Sequence, residues 1–203
     1  MFRILSVLAT MALICVAPGP EGMAQDQPVR VRGSIDRVEG AVYVVKTRDG
    51  GEVKVKLADK GAVVALSRAP LSDIKPGAFI GVSALPQADG SQRALEVHIF
   101  PEAMRGTGEG HRSWDLQPQS TMTNGTVEET AASVQGQVLT LKYKDGEKRI
   151  AVPADTPIVT YSAGDRSELK PGAGIFIPAA TREADGTLLT ARINVGRGVT
   201  PPM

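Results

Sequence analysis

Thiols are nearly absent: Cys15 is the single cysteine among 203 residues. It lies in an apolar run near the N-terminus that is expected to be removed, which leaves the mature chain without a disulfide, a thiol nucleophile or a thiolate metal site. Aromatics are scarce at 4 %, with one tryptophan, and there are only two histidines. Catalysis by a histidine-based set or a histidine-rich metal centre therefore has few residues to draw on. Neither sign of charge dominates, with 23 Lys+Arg against 22 Asp+Glu, and that near-neutral balance argues against dedicated nucleic-acid binding. Beyond the N-terminus no apolar run approaches the ~18 residues of a membrane span, so the mature chain is expected not to be transmembrane. A 3.6-residue apolar period of useful length is missing as well, which removes amphipathic helices from the list of building blocks.

The N-terminus reads MFRILSVLATMALICVAPGPEGMAQDQP. Arg3 supplies a positive start, Ile4 to Val16 an apolar stretch, and Gly22-Met23-Ala24 the small residues that a signal peptidase reads. Residues 1–24 are expected to be a secretory signal peptide. Acylation at Cys15 would need a small residue before it, and Ile14 is not one. The expected location is periplasmic or secreted. Loss of Arg3 and Glu21 together leaves the charge balance unchanged.

What the chain does have is itself, twice. "SDIKPGAFIGVSALPQADGS" begins at Ser72 and "SELKPGAGIFIPAATREADGT" at Ser167. Asp49-Gly50 matches Asp145-Gly146, and Asp89-Gly90 matches Asp185-Gly186, 96 positions later in both cases. Gly33 answers Gly125, and "ALEVHI" from Ala94 answers "TARINV" from Thr190. Each copy reads as β. Val53 to Leu57 and Leu139 to Tyr143 alternate apolar with polar residues, which buries one face of a strand and wets the other. The Asp-Gly pairs sit between such runs as hairpin turns. Ser72 is expected to cap a single helical turn that Pro76 stops, with Ile74, and Leu169 in the second copy, plugging a sheet end. In the second copy "GDRS" (164–167) replaces "APLS", which predicts a looser plug. Gly33 and Gly125 suit a bulge or sharp coil of a closing sheet.

Closure removes vulnerable edges, so the expected fold is all-β: two tandem small OB-like β-barrels of five to six strands each, joined by an irregular central segment. The division is residues 29–100 for the first barrel repeat, 101–121 for the central segment, 122–197 for the second repeat and 198–203 for a C-terminal tail. The pattern Leu-x-x-(Ile/Leu)-Lys-Pro-Gly, a strand, Asp-Gly and a final strand resembles an uncharacterised exported bacterial domain family, often tandem. That resemblance covers both copies and implies small OB-like barrels. It implies no established activity.

The central segment has no counterpart elsewhere and carries Trp114, His111, Glu109, Arg105, Arg112 and Asp115. One reading puts Trp114 and Leu116 in the seam between the barrels, with Arg112 and Asp115 making local hydrogen bonds. Another makes the segment an interaction surface, Trp114, Arg112, His111, Asp115 and Arg105 facing a partner, since tryptophan and arginine are typical interface anchors. A third gathers His111, Asp115, Glu109 and His98 around zinc or copper, although His98 aligns with Asn194 and no paired-histidine motif occurs. "GTGEG" from Gly106 lacks the strand, helix and lysine of a phosphate loop. Asn124-Gly125-Thr126 fits a glycosylation triplet but falls inside an expected strand.

No nucleophile elbow or other catalytic set stands out, so no catalytic residue and no cofactor is assigned. Arg30, Arg32, Lys46, Arg48, Lys54 and Lys56 give the first copy a modest basic face. The function expected from the sequence is a non-enzymatic binding or scaffolding protein of the cell envelope. Its partner is expected to be an envelope protein or an anionic surface, with periplasmic metal binding as the alternative and an enzyme of unrecognised type third.

Overall fold

A computed structural model describes residues 28–201. The expected signal peptide and Cys15 lie outside the described residues, as do the last two residues of the tail. Twelve strands carry the fold. The first copy supplies β1 (Val29–Glu39), β2 (Val42–Thr47), β3 (Glu52–Arg68), β4 (Phe79–Pro86) and β5 (Gln92–Ile99). The central segment supplies β6 (Gly110–Ser113). The second copy supplies β7 (Thr121–Ser133), β8 (Gly136–Tyr143), β9 (Gly146–Pro153), β10 (Ile158–Ala163), β11 (Gly174–Arg182) and β12 (Leu188–Arg197). The all-β expectation therefore holds among the described residues, whose only helical pieces are three single 3-10 turns.

All four Asp-Gly pairs fall between antiparallel neighbours. Their glycines take positive φ, from 81° at Gly90 to 153° at Gly146. At three of them the carboxylate closes the turn on the backbone: Asp49 accepts from the Gly51 N–H at 3.4 Å, Asp89 from the Ser91 N–H at 3.0 Å and Asp185 from the Thr187 N–H at 2.9 Å. At Gly33 and Gly125 there is no room for a side chain. A Cβ there would press into the carbonyl oxygens of Lys46 and Lys142. The bulges expected at these glycines sit three residues later, at Asp36 and Glu128, where both registers slip.

The strand pairing departs from the expectation of one barrel per copy. Strands β1, β2 and β3 close into a five-stranded barrel with β12 and β11 of the second copy, through a parallel β3–β12 ladder and an antiparallel β1–β11 ladder. Reciprocally, β7, β8 and β9 pair in a circuit with β4 and β5 of the first copy, β5 meeting β9 over two residue pairs only. All twelve strands thus belong to one hydrogen-bonded sheet. The physical reason lies in the repeated Lys-Pro-Gly motif. Instead of folding the chain back, segments 69–78 and 164–173 carry it across from one set of strands to the other.

Each crossing docks by the same device. Gly77 and Gly172 take φ of 85°; their N–H groups donate to Val127 and Ile35 at 2.8 Å. Ile74 (2 % exposed) then plugs the core of Val82, Leu139, Leu141 and Ile150, and Leu169 (4 %) the core of Ile35, Val45, Val55 and Ile193. Burying each contributes about 1.5–3 kcal/mol. Two local expectations are corrected here. Pro70, not Ser72, caps the first turn, without a side-chain bond. The second plug is not loose: Asp165 and Glu168 form a reciprocal capping box, and Arg197 binds Glu168 at 2.7 Å.

The copies also differ where β3 runs unbroken and its counterpart divides into β9 and β10. Pro153 and Pro157 interrupt the second ladder because each lacks an N–H. The C-terminal half of β3 and β10 lie antiparallel side by side, with Leu66 opposite Tyr161. These two residues occupy equivalent places in "VVALS" and "IVTYS", so an approximate two-fold axis passes between them. A third core cluster surrounds that axis: Leu66, Met122, Val159, Tyr161 and Phe176, with Phe100, Met104 and Trp114 packed against it.

Candidate functional site

The central segment is more ordered than an irregular linker. Strand β6 pairs with β7, setting Arg112 opposite Met122 and Ser113 opposite Thr121. The next loop is tied by buried Ser120, whose carbonyl accepts the Trp114 N–H at 2.8 Å and whose hydroxyl donates to the Trp114 carbonyl at 3.0 Å. Trp114 is thereby laid, half-buried, on the seam cluster. The Arg30 guanidinium stands 4.3 Å from its ring centroid and that of Arg112 5.6 Å away, a cation–π geometry contributing about 0.5–1 kcal/mol at an exposed site.

Asp115 clamps the segment to β1. Its two oxygens accept from Arg32 at 2.7 and 3.3 Å, and Arg30 lies 3.4 Å away. Burial pushes the Asp115 carboxyl up, but the hydrogen bond and charge of Arg32, with the charge of Arg30, hold it below the usual range. Asp115 thus bonds 83 residues away rather than locally. Trp114 thus packs in the seam, while Arg112 lies over its outer side.

The remaining candidates lie apart. His111 Nδ1 is 2.8 Å from the Thr123 hydroxyl and its ring stacks on Tyr143 at 6.4 Å. Burial, then the charges of Lys148 and Arg112, push its pKa down. Glu109 accepts the Lys144 N–H at 2.9 Å. Arg105 is held by Glu102 at 2.7 Å and by the Gly77 carbonyl at 2.9 Å, bracing the first crossing. His98 is fully buried on β5. Among the described residues no three His, Cys, Asp or Glu side chains are placed to hold a metal ion; the four metal candidates are each engaged elsewhere.

His98 belongs instead to a polar chain across the seam. Its Nε2 lies 2.9 Å from Glu96 and its Nδ1 3.0 Å from the Tyr161 hydroxyl. Both nitrogens are engaged, so His98 braces β5 against β10. Burial raises the Tyr161 pKa far above its ordinary value, with Arg192 opposing.

Beside this chain lies a cavity of about 230 Å³. Its walls include the apolar faces of Phe100, Trp114, Tyr161 and Phe176 and the cations Arg30, Arg112 and Arg192, with no carboxylate. Two buried polar atoms of its lining are without a hydrogen-bond partner: Trp114 Nε1, a donor, and Asn124 Oδ1, an acceptor. Asn124 is oriented by its Nδ2, which donates to the Thr107 carbonyl at 2.9 Å; at 5 % exposure, its glycosylation triplet is out of reach. A larger groove of about 770 Å³, near Gly33, Lys46 and Gly174, is open and has glycine at six of its thirteen lining positions.

Arg192, Phe100 and Tyr161 carry no motif in the sequence, and Asn124 stands out there only as part of a glycosylation triplet. One signal did exist. Aligning "ALEVHI" with "TARINV" sets Glu96 against Arg192 and His98 against Asn194, and Glu96, His98 and Asn194 are at most 1 % exposed. Comparison with known proteins gives no identification: no family model, curated protein or solved structure matches this chain.

Proposed function

We propose that the protein is a non-enzymatic binding or scaffolding component of the cell envelope, periplasmic or secreted, whose recognition surface is the 101–121 segment docked on β1. The observation that carries this reading is the fixed triad of Arg30, Trp114 and Arg112. A tryptophan held between the seam and two guanidiniums presents aromatic area and positive charge with little conformational freedom left to lose on binding. The partner is accordingly an acidic envelope protein or an anionic surface. The two five-strand sets are read as sibling OB-like barrels, in keeping with the resemblance of the repeats. No helix among the described residues is long and apolar enough to cross a membrane.

Capture from envelope extract tests the surface. The mature protein should retain a partner that Arg112→Glu loses while its thermal melting stays unchanged. Equal retention by both would overturn the assignment to this segment. Export is checked separately by fractionation and by the N-terminus of the recovered protein, expected at Gln25.

A further inference from the structure

We propose that the seam cavity is a binding site for a small organic carboxylate with a flat apolar body. The inference deepens the reading of segment 101–121 as a recognition element, because that segment supplies Trp114 and Arg112 to the walls.

Charge decides the sign of the ligand. Three arginines line the cavity and no aspartate or glutamate does. Asp115, the carboxylate on Arg30, is already taken up by Arg32 at 2.7 Å. Arg112 spends one nitrogen on the Gly108 carbonyl at 2.7 Å. The Arg192 guanidinium, half-buried, makes no hydrogen bond or ion pair among the described residues. An arginine desolvated beside other cations is in an unfavourable state that a bound anion relieves. For Arg112 the direction is visible: burial, then the charge of Arg30, lowers its pKa.

Donor geometry and shape narrow the class. A guanidinium offers a planar fork that matches a carboxylate, and the partnerless Trp114 N–H is a further donor in the same cavity. The body of the ligand meets rings: Phe100 stacks on Tyr161 at 5.0 Å between centroids, 15° from parallel. A volume of about 230 Å³ falls below the ~300 Å³ at which drug-sized pockets begin, which limits the ligand to about one ring. Asn124 Oδ1 adds an acceptor for a hydroxyl or amino substituent. Gly81 keeps that wall open, since a Cβ there would come within 2.7 Å of Asn124 Oδ1.

Trp114 is the sole tryptophan, so its fluorescence reports the cavity directly. Benzoate titrated into the mature protein should give a saturable change, with acetate and benzyl alcohol each binding at least about tenfold more weakly, one for want of a ring and the other of a charge. Arg192→Gln should weaken benzoate at least about tenfold with an unchanged melting curve. Arg112→Gln, on an exposed side chain, should do the same and guards against a folding defect at Arg192. Benzoate without saturation, benzyl alcohol as tight as benzoate, or benzoate affinity unmoved by both variants would each sink the proposal. Partner capture is scored in parallel: benzoate binding without capture defeats the partner reading alone, and capture without benzoate binding defeats this one alone.

Discussion

His98 Nδ1 and the Tyr161 hydroxyl lie 3.0 Å apart, linking strands separated by 63 residues of sequence across the seam of the molecule. Both groups are buried, and the imidazole has its other nitrogen on Glu96. Tyr161→Phe keeps the ring packing and removes the hydroxyl, leaving a buried nitrogen without a partner. The expected loss is about 1–3 kcal/mol. Urea unfolding should show it as a lower midpoint at constant slope; an unchanged midpoint would mean that the bond adds nothing.

Gly33→Ala and Gly125→Ala should each cost about 3 kcal/mol or prevent folding. Neither glycine needs an unusual φ; the obstacle is the carbonyl oxygen of the neighbouring strand, which a Cβ would meet. Gly40→Ala is the contrast: open space surrounds it, and its φ of 62° carries the strain instead. Thermal melts of the three variants separate steric from torsional effects, and the prediction fails if Gly33→Ala melts with wild type.

Acid should weaken the second crossing. The hydrogen bond from Arg197, then that from the Asp165 backbone, pushes the Glu168 carboxyl down to about 2 from 4.5. A depressed folded pKa means that the stabilisation is whole above about pH 4.5 and disappears as pH falls toward 2. Glu168→Gln should therefore melt a few degrees below wild type at neutral pH, with the gap closing through that acid window. A gap that is constant with pH would assign the effect to packing.

Cutting the chain between its copies should not yield two folded halves. Fragment 25–100 lacks β11 and β12, and fragment 101–203 lacks β4 and β5, so each is expected to be unfolded or self-associated alone. Mixed, they should recover the β-sheet circular dichroism of the intact chain. Monomeric, cooperatively melting halves would contradict the strand exchange.

The sequence made the strands legible because period-two alternation and Asp-Gly corners are local signals. The destination of each strand was not legible. Phe79 to Pro86 reads as the same apolar strand whether β4 joins β1 to β3 of its own copy or crosses to β7, and only the path of Lys75-Pro76-Gly77 decides. The joining segment was marked by the residues it alone carries, and Trp114, Arg112 and Asp115 do converge on β1. Arg105, Glu109 and His111 looked equivalent to them in sequence but are engaged by Gly77, Lys144 and Thr123. Glu96 and His98 fell on what alternation reads as the wet face of β5. That face is wet in an isolated barrel and dry once a second set of strands covers it.

The fusion of both copies into one polypeptide frees the axis between Leu66 and Tyr161 from true symmetry. Two separate, identical molecules trading strands would be forced to place the same side chain at both related positions, a pair of glutamates or a pair of arginines in one interior. Within a single chain, Glu96 can coexist with Arg192 and His98 with Asn194, and a chamber built by duplication can distinguish its two ends.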